Sequence, residues 1–381
     1  MAVTTVDTNN KLIRFRKEVT REYVRENLFS PYMGTGVTSI IRILNDLKSG
    51  GEQVNVPLVN SLRGTAIATG TLTGNEEAID NYGFRMWIDW ARNAVRTNKA
   101  EIQKDSADIF DVARKVLADW GNALIRDEII DAFNSIPLES APANLGTTNG
   151  QRVNGISIDN ATAGQRNTWV TDNADRVLFG ASVSNYSTTF ATATATLDTT
   201  ADKLTAASLR LMKRLAMKAS PKIRPFKTKN GYEYYVAFAG PNCFRDLGND
   251  TTIINANLYA RAREGGGINN NPLFQDGDIL YDGIVVRQVP EMDTRNPTFY
   301  ATAGASGSTS IAPVFLCGQS AMAQFYGQMP RPTMLDQTDY QFNRGVGIEM
   351  AYGIGKIAKK TSSALKDWGV FTGFFAAVAD A

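Results

Sequence analysis

Few residues of this chain belong to the types that usually carry out chemistry. Among 381 residues there is no histidine, and the two cysteines are Cys243 and Cys317. Without histidine, the usual general base near neutral pH and the commonest metal ligand are missing, together with any Ser-His-Asp or Cys-His site. Two cysteines do not build a structural zinc site, and we interpret both as small buried apolar residues. We predict no catalytic, cofactor-binding or metal-binding residue, and hence no enzyme.

Carboxylates and phosphate-binding loops are the other candidates for chemistry. Asp276, Asp278 and Asp282 could bind a divalent cation, but their spacing lacks the last acid of a calcium loop, and hairpin turns favour aspartate in any case. The stretch "YGIGKIAKK" fails the P-loop pattern at both ends, and "GTGVTS" lacks the third glycine of a dinucleotide fingerprint. A carboxylate-dependent hydrolase would need two facing acids, and no pair stands out.

Charge and hydropathy narrow the class of protein further. The 40 basic and 38 acidic residues give a formal charge of +2, which argues against a protein whose main task is to coat nucleic acid. A basic run at 213–229 could contact phosphates or an acidic partner, or it could be a solvated helix face. The N-terminus has no hydrophobic signal core, and the apolar tail at 368–378 is too short to span a bilayer. We expect a reducing, cytoplasm-like compartment and no membrane contact.

Helical spacing predicts three helices in the first part of the chain. Residues 11–29 have one narrow apolar stripe, 39–48 form a short segment that ends at two glycines, and 105–134 give the clearest pattern, with about 28 residues. A helix of that length exceeds the usual globular helix and predicts an extended molecule.

A long β-hairpin is predicted between these helices, over 50–90. Val54, Val56 and Leu58 alternate with polar residues, and Pro57 favours an exposed strand. These apolar side chains are too few to form a face that buries itself, and an isolated hairpin is marginal in water. The hairpin therefore needs another surface to lie on.

The rest of the chain mixes helices and strands without βαβ regularity, so the predicted class is α+β. Residues 138–202 are rich in Thr, Ala, Asn and Gly and predict loop or weak surface strand. The further predicted elements are a helix at 205–219, a buried strand at 234–239, a hairpin that turns at Asp282-Gly283, strands at 312–318 and 345–360, and a final buried strand at 367–378.

Several stretches of the second half resemble the major capsid proteins of tailed bacteriophages, in particular the phage N-four-like family. They are "NADRVLFGA", "YYVAFAGPNCFRDLGND", "NPLFQDGDILYDGIVVRQVPEM", "GQSAMAQFYGQMPRPTMLDQTDYQFNRGVGIEMAYGIGK" and "KDWGVFTGFFAA". The first half resembles the family in its order of elements. The fold of this family is shared by herpesvirus capsid proteins and by encapsulin nanocompartments.

The resemblance implies a tailed-phage major capsid fold, with roles that follow by region. The implied regions are an N-terminal arm (1–30), a short helix leading to the extended loop (31–49), the extended β-hairpin loop (50–90), a peripheral domain with a long spine helix (91–139), a mostly axial domain with a returning peripheral hairpin near 278–290 (140–345), and C-terminal strands of the peripheral domain (346–381).

The implied function is that of a major capsid protein that self-assembles into hexamers and pentamers of an icosahedral shell around double-stranded DNA. Scaffolding, portal and decoration proteins are the other implied partners, DNA contact is weak and non-specific, and the shell is assembled in the host cytoplasm. Two alternatives are kept: an encapsulin-like shell protein, and a carboxylate-dependent polysaccharide hydrolase of a phage tail. Contacts between subunits are placed at Phe15, Tyr23, Val54, Val56, Leu58, Arg63, Glu76 and Glu77.

Overall fold

The computed structural model describes residues 24–45, 51–104, 109–141, 145–146, 150–227, 231–256, 274–275, 278–335, 342–361 and 363–380. Within these residues the chain divides into two compact units. The first contains residues 24–27, Ala91–Ile125 and Met329–Met350, and the second contains Leu28–Trp90, Arg126–Gln328 and the chain from Ala351 onward.

Strands and helices alternate irregularly along the chain, which confirms the predicted α+β class. The helices are α1 (Lys99–Lys104), α2 (Ile109–Phe133), α3 (Ala163–Asp172), α4 (Phe190–Thr194), α5 (Ala206–Lys218), α6 (Pro241–Gly248) and α7 (Glu291–Thr294). The strands are β1 (Met33–Gly34), β2 (Ile41–Leu44), β3 (Gln53–Val59), β4 (Asn81–Trp87), β5 (Asp89–Asn98), β6 (Ser135–Ile136), β7 (Ile156–Ser157), β8 (Val177–Phe179), β9 (Phe226–Lys227), β10 (Glu233–Ala239), β11 (Phe274–Gln275), β12 (Asp278–Tyr281), β13 (Ile284–Gln288), β14 (Ile311–Cys317), β15 (Met322–Met334), β16 (Asn343–Lys356), β17 (Ala358–Thr361), β18 (Ala364–Asp367) and β19 (Val370–Ala376).

The first unit has a small core of its own. Ala113 and Leu117 of α2 are buried against Val346 of β16, and Val95 and Ile348 pack beside them. Because α2 has 25 residues, the predicted long helix is confirmed over its described part; residues 105–108 lie outside the described residues.

An eight-stranded sheet dominates the second unit. Its strand order is β11-β12-β13-β10-β14-β19-β8, and β9 pairs with β10. Strand β10 lies between β13, in parallel, and β14, antiparallel, and every residue of β14 and β19 is buried. The strands predicted at 234–239, 312–318 and 367–378 are confirmed, because their continuous apolar runs match strands covered on both faces. Asp282 and Gly283 both have positive φ, as the predicted two-residue hairpin turn requires.

Helix α5 packs its apolar side against this sheet. Thr205 caps the helix through a capping box with Ser208, and Leu209, Met212 and Ala216 are buried in the same cluster as the strand residues. The helix ends before Pro221, as predicted, because the residue before a proline disfavours the helical conformation.

Two predicted helices differ from the structure. Residues 41–44 of the predicted helix at 39–48 form strand β2, in which Ile41 pairs in parallel with Met33 on one side and Met322 on the other. A short apolar run with β-branched residues fits both structures, and sheet pairing decides for the strand. Residues 24–29, predicted as the end of the first helix, are not α-helical, and the rest of that prediction lies outside the described residues.

The prediction of loop or surface strand over 138–202 is also wrong. This region contains α3, β8 and α4, and Phe190 is fully buried against Trp169, Phe179 and Phe374. Its many small Ala and Thr residues allow close packing around a few aromatic rings, so low complexity here does not mean exposure.

Candidate assembly interface

Strands β3 and β4 form an antiparallel hairpin in the second unit, as predicted. Val56 lies opposite Phe84, and Leu58 lies opposite Tyr82. Alternate residues of β3 are buried and exposed, so the side chains of one face point into the protein.

The apolar face of this hairpin is buried by its own chain. Val54, Val56 and Leu58 are buried together with Phe84 and Met86, and the cluster is completed by Ala323, Phe325, Ile357 and Ala358. The hairpin does need another surface, as expected, but its own chain supplies that surface. The covering residues are more than 260 positions further along the chain and leave no local signal in the hairpin sequence. These three β3 side chains are core residues of the subunit rather than exposed contact residues.

The part of the hairpin that has no cover is its loop, which we call the tip loop (residues 60–80). Every residue from 61 to 80 is exposed except Ile67. Leu72 and Ile79 are large apolar residues with 69% and 62% of their surface exposed. Binding residues lie disproportionately on loops, so these two exposed apolar side chains make the tip loop a candidate interaction site.

Carboxylates give the tip loop its shape. Glu77 accepts hydrogen bonds from the backbone amides of Arg63 at 2.7 Å and Gly64 at 2.5 Å, and so joins the two sides of the loop near its base. Closer to the turn, Glu76 accepts from the amide of Gly74, whose φ of +88° favours glycine. Hydrogen bonds to ionised carboxylates are among the stronger ones in proteins, so the exposed loop has a defined conformation.

Asp80 connects the base of the tip loop to the rest of the subunit by a hydrogen bond and an ion pair. Its Oδ2 accepts from the side chain of Asn60 at 2.5 Å and from Lys359 Nζ at 3.0 Å. The Lys359 side chain is fully buried, so its ammonium group depends on this carboxylate for charge compensation.

A groove with a volume of about 720 Å³ lies beside the base of the tip loop. One wall is the chain from Val59 to Arg63, and the other is the segment from Met217 to Pro225, which begins with the last residues of α5. The Arg63 guanidinium donates to Ser220 Oγ at 2.7 Å and connects the two walls. Ile223 and Tyr235 are buried beneath the groove, while Met217 and Trp368 add apolar surface.

The rim of this groove is positively charged. Arg63, Lys218, Lys222 and Arg224 line it and are exposed, and we call it the basic groove. Among the described residues that line it there is one acid, Glu233, which forms an ion pair with Lys227 at 2.9 Å. Within the described part of the chain, Lys218, Lys222 and Arg224 have no acidic partner. The groove thus offers several uncompensated cations above an apolar floor.

Asp175 positions the segment that carries these cations. Its carboxylate accepts from the Ser220 amide at 2.8 Å, from Lys366 Nζ at 3.2 Å and from Arg176 Nε at 3.1 Å. Burial alone would raise the pKa of Asp175, but the hydrogen bonds and charges of these donors outweigh burial, and the net pKa is lowered. Arg176, itself buried, also donates to the carbonyl of Pro221.

A second buried acid forms a network elsewhere in the second unit. Glu128 accepts from Arg152 at 2.8 Å and from the hydroxyl of Tyr352 at 2.5 Å. Burial raises the pKa of Glu128, and the neighbouring Arg152 opposes that shift only in part. Because both partners hold this buried carboxylate by hydrogen bonds, we assign it a structural role.

The candidate chemical groups that the structure describes are buried or paired with charged neighbours. Cys243 and Cys317 are buried free thiols, and burial raises the pKa of each. Asp278 is paired with Arg287, and Asp282 lies near Arg210 and Lys213, while Asp276 lies outside the described residues. Among the described residues no cluster of three possible metal ligands is found, and no helix there is long and apolar enough to cross a bilayer.

The predicted contact residues fall into three groups. Phe15 and Tyr23 lie outside the described residues, Val54, Val56 and Leu58 lie in the core, and Arg63, Glu76 and Glu77 lie on the tip loop. The structure also brings Lys218, Lys222 and Arg224 to the base of that loop. The basic run at 213–229 was a signal for them, but nothing in the sequence shows that it lies beside residue 63.

Comparison with known proteins gives consistent matches over nearly the whole chain. Residues 3–373 match the family described as phage capsid protein. The chain is 25% identical to the major capsid protein of Pseudomonas phage KPP25 over 346 residues. This alignment covers 85% of this chain and 83% of that protein. Among solved structures, the capsid asymmetric unit of cyanophage Pam1 is 34% identical with a TM-score of 0.85 and full coverage of both chains. The capsid of Ralstonia phage GP4, at 17% identity, has a TM-score of 0.73 with full coverage and shows the shared fold.

Proposed function

Because the chain belongs to the phage capsid protein family and is a phage major capsid protein, we propose that its tip loop closes over a neighbouring copy in the shell. Members of this family are structural capsid proteins rather than enzymes, so the encapsulin and hydrolase alternatives are not supported. Self-association into a virion capsid is the function that the comparisons establish for the chain.

The observation that carries this proposal is the contrast between the two parts of the hairpin. The strands bury their apolar face in the subunit, whereas the tip loop exposes Leu72 and Ile79 although carboxylate hydrogen bonds fix its shape. A loop with a defined conformation and exposed apolar side chains is preorganised for binding. It therefore loses little conformational entropy when a partner binds. In a shell, every copy has a neighbour that can supply the missing cover.

The energy available from such a contact is modest for one copy and large for a shell. At about 25 cal/mol per Å², a few hundred Å² of apolar surface contributes several kcal/mol before the ordering costs are subtracted. Because each copy gives and receives contacts, weak interfaces add up around a closed particle.

The remaining roles are proposed on the order of elements that the chain shares with its family. Residues 1–30 form an arm beneath an adjacent subunit, and 91–139 form a peripheral domain in which α2 is the spine helix. The C-terminal strand β19 does not belong to that domain, because it pairs with β14 and β8 in the large sheet of the second unit. Residues 140–345 form most of an axial domain that meets its copies around the five-fold and six-fold axes of pentamers and hexamers. We further propose scaffolding, portal and decoration proteins as partners, weak non-specific contact with packaged double-stranded DNA, and assembly in the host cytoplasm.

Replacing the tip loop tests the proposal while leaving the core intact. Residues 61–79 are exchanged for Asn-Gly, because the Asn60 amide already donates to the Asp80 carbonyl at 3.1 Å and this dipeptide favours a two-residue hairpin turn. The variant is expressed with the head-assembly genes of the phage. We expect a subunit with cooperative thermal unfolding that forms no capsids by electron microscopy. Capsids of normal size and yield from the variant would contradict the proposal.

A further inference from the structure

We propose that the basic groove of one copy is the site that receives the tip loop of the neighbouring copy. This inference rests on the proposed function, which says that the tip loop contacts a neighbour, and it adds where on the neighbour the contact lies. The donor is the segment at 71–80, and the acceptor is the groove between residues 59–63 and 217–225.

Charge complementarity is the first argument. The segment at 71–80 contains Glu76 and Glu77 and no basic residue; its third acid, Asp80, already compensates Lys359. The basic groove carries four rim cations, and its own acid, Glu233, is already paired with Lys227. Opposite charges on two surfaces guide association and suppress wrong partners, so this pairing favours the tip loop over other parts of the surface.

Apolar complementarity is the second argument. Leu72 and Ile79 flank Glu76 and Glu77 and are largely exposed. The groove has apolar surface from Met217, Pro221 and Trp368 between its cations. A nucleic-acid backbone would match only the cations, because its phosphates gain nothing from contact with an apolar surface. A segment that has both acids and large aliphatic side chains matches the cations and the apolar surface.

The position of the groove explains how such a contact can repeat. Val59, Asn60, Ser61 and Arg63 line the groove at the base of the same loop whose far end is the donor. Donor and acceptor are thus different surfaces of one chain, and contacts between different surfaces generate rings when the rotation between copies closes. Each copy then receives one loop at the base of its own and donates its tip to the next.

Glu77 and Asp80 have a different part in this contact from Glu76. Glu77 is bound to two amides of its own loop and Asp80 to Lys359, so both act as positioning residues that shape the donor. Glu76 bonds only the amide of Gly74 within the loop, and it is the acid nearest the turn. We infer that Glu76 is the carboxylate that meets the rim cations.

Site-specific photo-crosslinking in assembled capsids tests the inference. A benzophenone amino acid replaces Thr73, an exposed residue of the tip loop, and capsids are assembled from a mixture of ¹⁴N-labelled and ¹⁵N-labelled chains. After irradiation and digestion, mass spectrometry identifies the crosslinked peptides, and mixed-isotope products mark links between copies. The matched control carries the probe at Val183, which is exposed but lies outside both the loop and the groove.

The predicted result is a mixed-isotope crosslink from residue 73 to the segment at 217–225 or to Trp368, absent from the control. Mixed-isotope crosslinks to another part of the chain would overturn the groove as acceptor and leave the contact between tip loop and neighbour in place. Crosslinks confined to single copies, or to packaged DNA, would overturn both this inference and the proposed function.

Discussion

The Glu77 carboxylate joins the two sides of the tip loop by accepting from the Arg63 amide at 2.7 Å, fourteen residues earlier in the chain. The same carboxylate also accepts from the Gly64 amide. An otherwise exposed loop is therefore closed near its base by one side chain, and its shape in the free subunit depends on that side chain.

We expect Glu77→Ala to loosen the tip loop without unfolding the subunit. Both amides would then bond only to water, and amide hydrogen exchange over 61–79 should become faster, while the melting temperature changes little because exposed loop contacts contribute little to global stability. Capsid yield should fall, since a disordered donor must lose more entropy on binding. Glu52→Ala, at an exposed glutamate just before β3, is the matched control and should leave exchange in the loop unchanged. Unchanged exchange in the Glu77 variant would refute its role.

Two leucines of the same hairpin should separate stability from assembly. Leu58 is buried in the core and Leu72 is exposed on the tip loop. Leu58→Ala should lower the free energy of unfolding by about 2–5 kcal/mol, as a large-to-small core substitution does. Leu72→Ala should change it by less than about 0.5 kcal/mol but reduce capsid yield. Denaturant unfolding and particle counts on both variants check this, and a Leu72 variant that assembles normally would argue against an apolar contact at the tip.

Asp175→Asn should make the subunit less stable in a pH-dependent way. The folded pKa of Asp175 is lowered, so its ionised form stabilises the fold above the ordinary aspartate pKa of 3.8, and this contribution is lost as the pH falls through the lowered folded value. We expect the variant to lose about 1–3 kcal/mol at neutral pH, where Arg176, Lys366 and the Ser220 amide lose an ionised acceptor. The difference from the native protein should shrink below about pH 4. Denaturant unfolding at several pH values measures it, and a difference that is the same at all pH values would contradict this account.

The ion pair between Lys356 and Asp367 allows a test of how a buried pair of charges contributes to the stability of the subunit. Both side chains are about 98% buried, and Lys356 Nζ lies 2.9 Å from the carboxylate. Asp367→Asn should cost about 3–5 kcal/mol, because it leaves a buried ammonium group without a counter-charge. The double variant with Lys356→Met should recover most of that loss. If the double variant is as unstable as the sum of the single variants, the two groups are not energetically coupled.

Most of the fold could be predicted from regular local patterns in the sequence. Helix α2, the buried strands β10, β14 and β19, and the turn at Asp282-Gly283 follow from spacing, continuous apolar runs and turn chemistry, all of which are local. The sequence predicts a helix where strand β2 lies, because a short apolar run has no decisive period. The strand β15 that pairs with it on one side, through Met322 opposite Ile41, is far away in the sequence.

The candidate site was predictable only where it is local. Arg63, Glu76 and Glu77 could be placed on an exposed loop from the hairpin pattern, but burial of Val54, Val56 and Leu58 depends on Phe325 and Ile357 from the far end of the chain. The basic run was visible as composition, whereas its position beside the tip loop follows from the fold. Long-range packing therefore decided which hairpin residues stay free for a partner.

Electron cryo-microscopy of capsids that contain the full chain tests the central claim most directly. At a resolution that traces the main chain, the account predicts that residues 60–80 of each subunit lie on an adjacent copy, with β3 and β4 packed on their own subunit. A map in which the loop folds back on its own subunit and touches no neighbour would contradict the claim, whatever the symmetry of the shell.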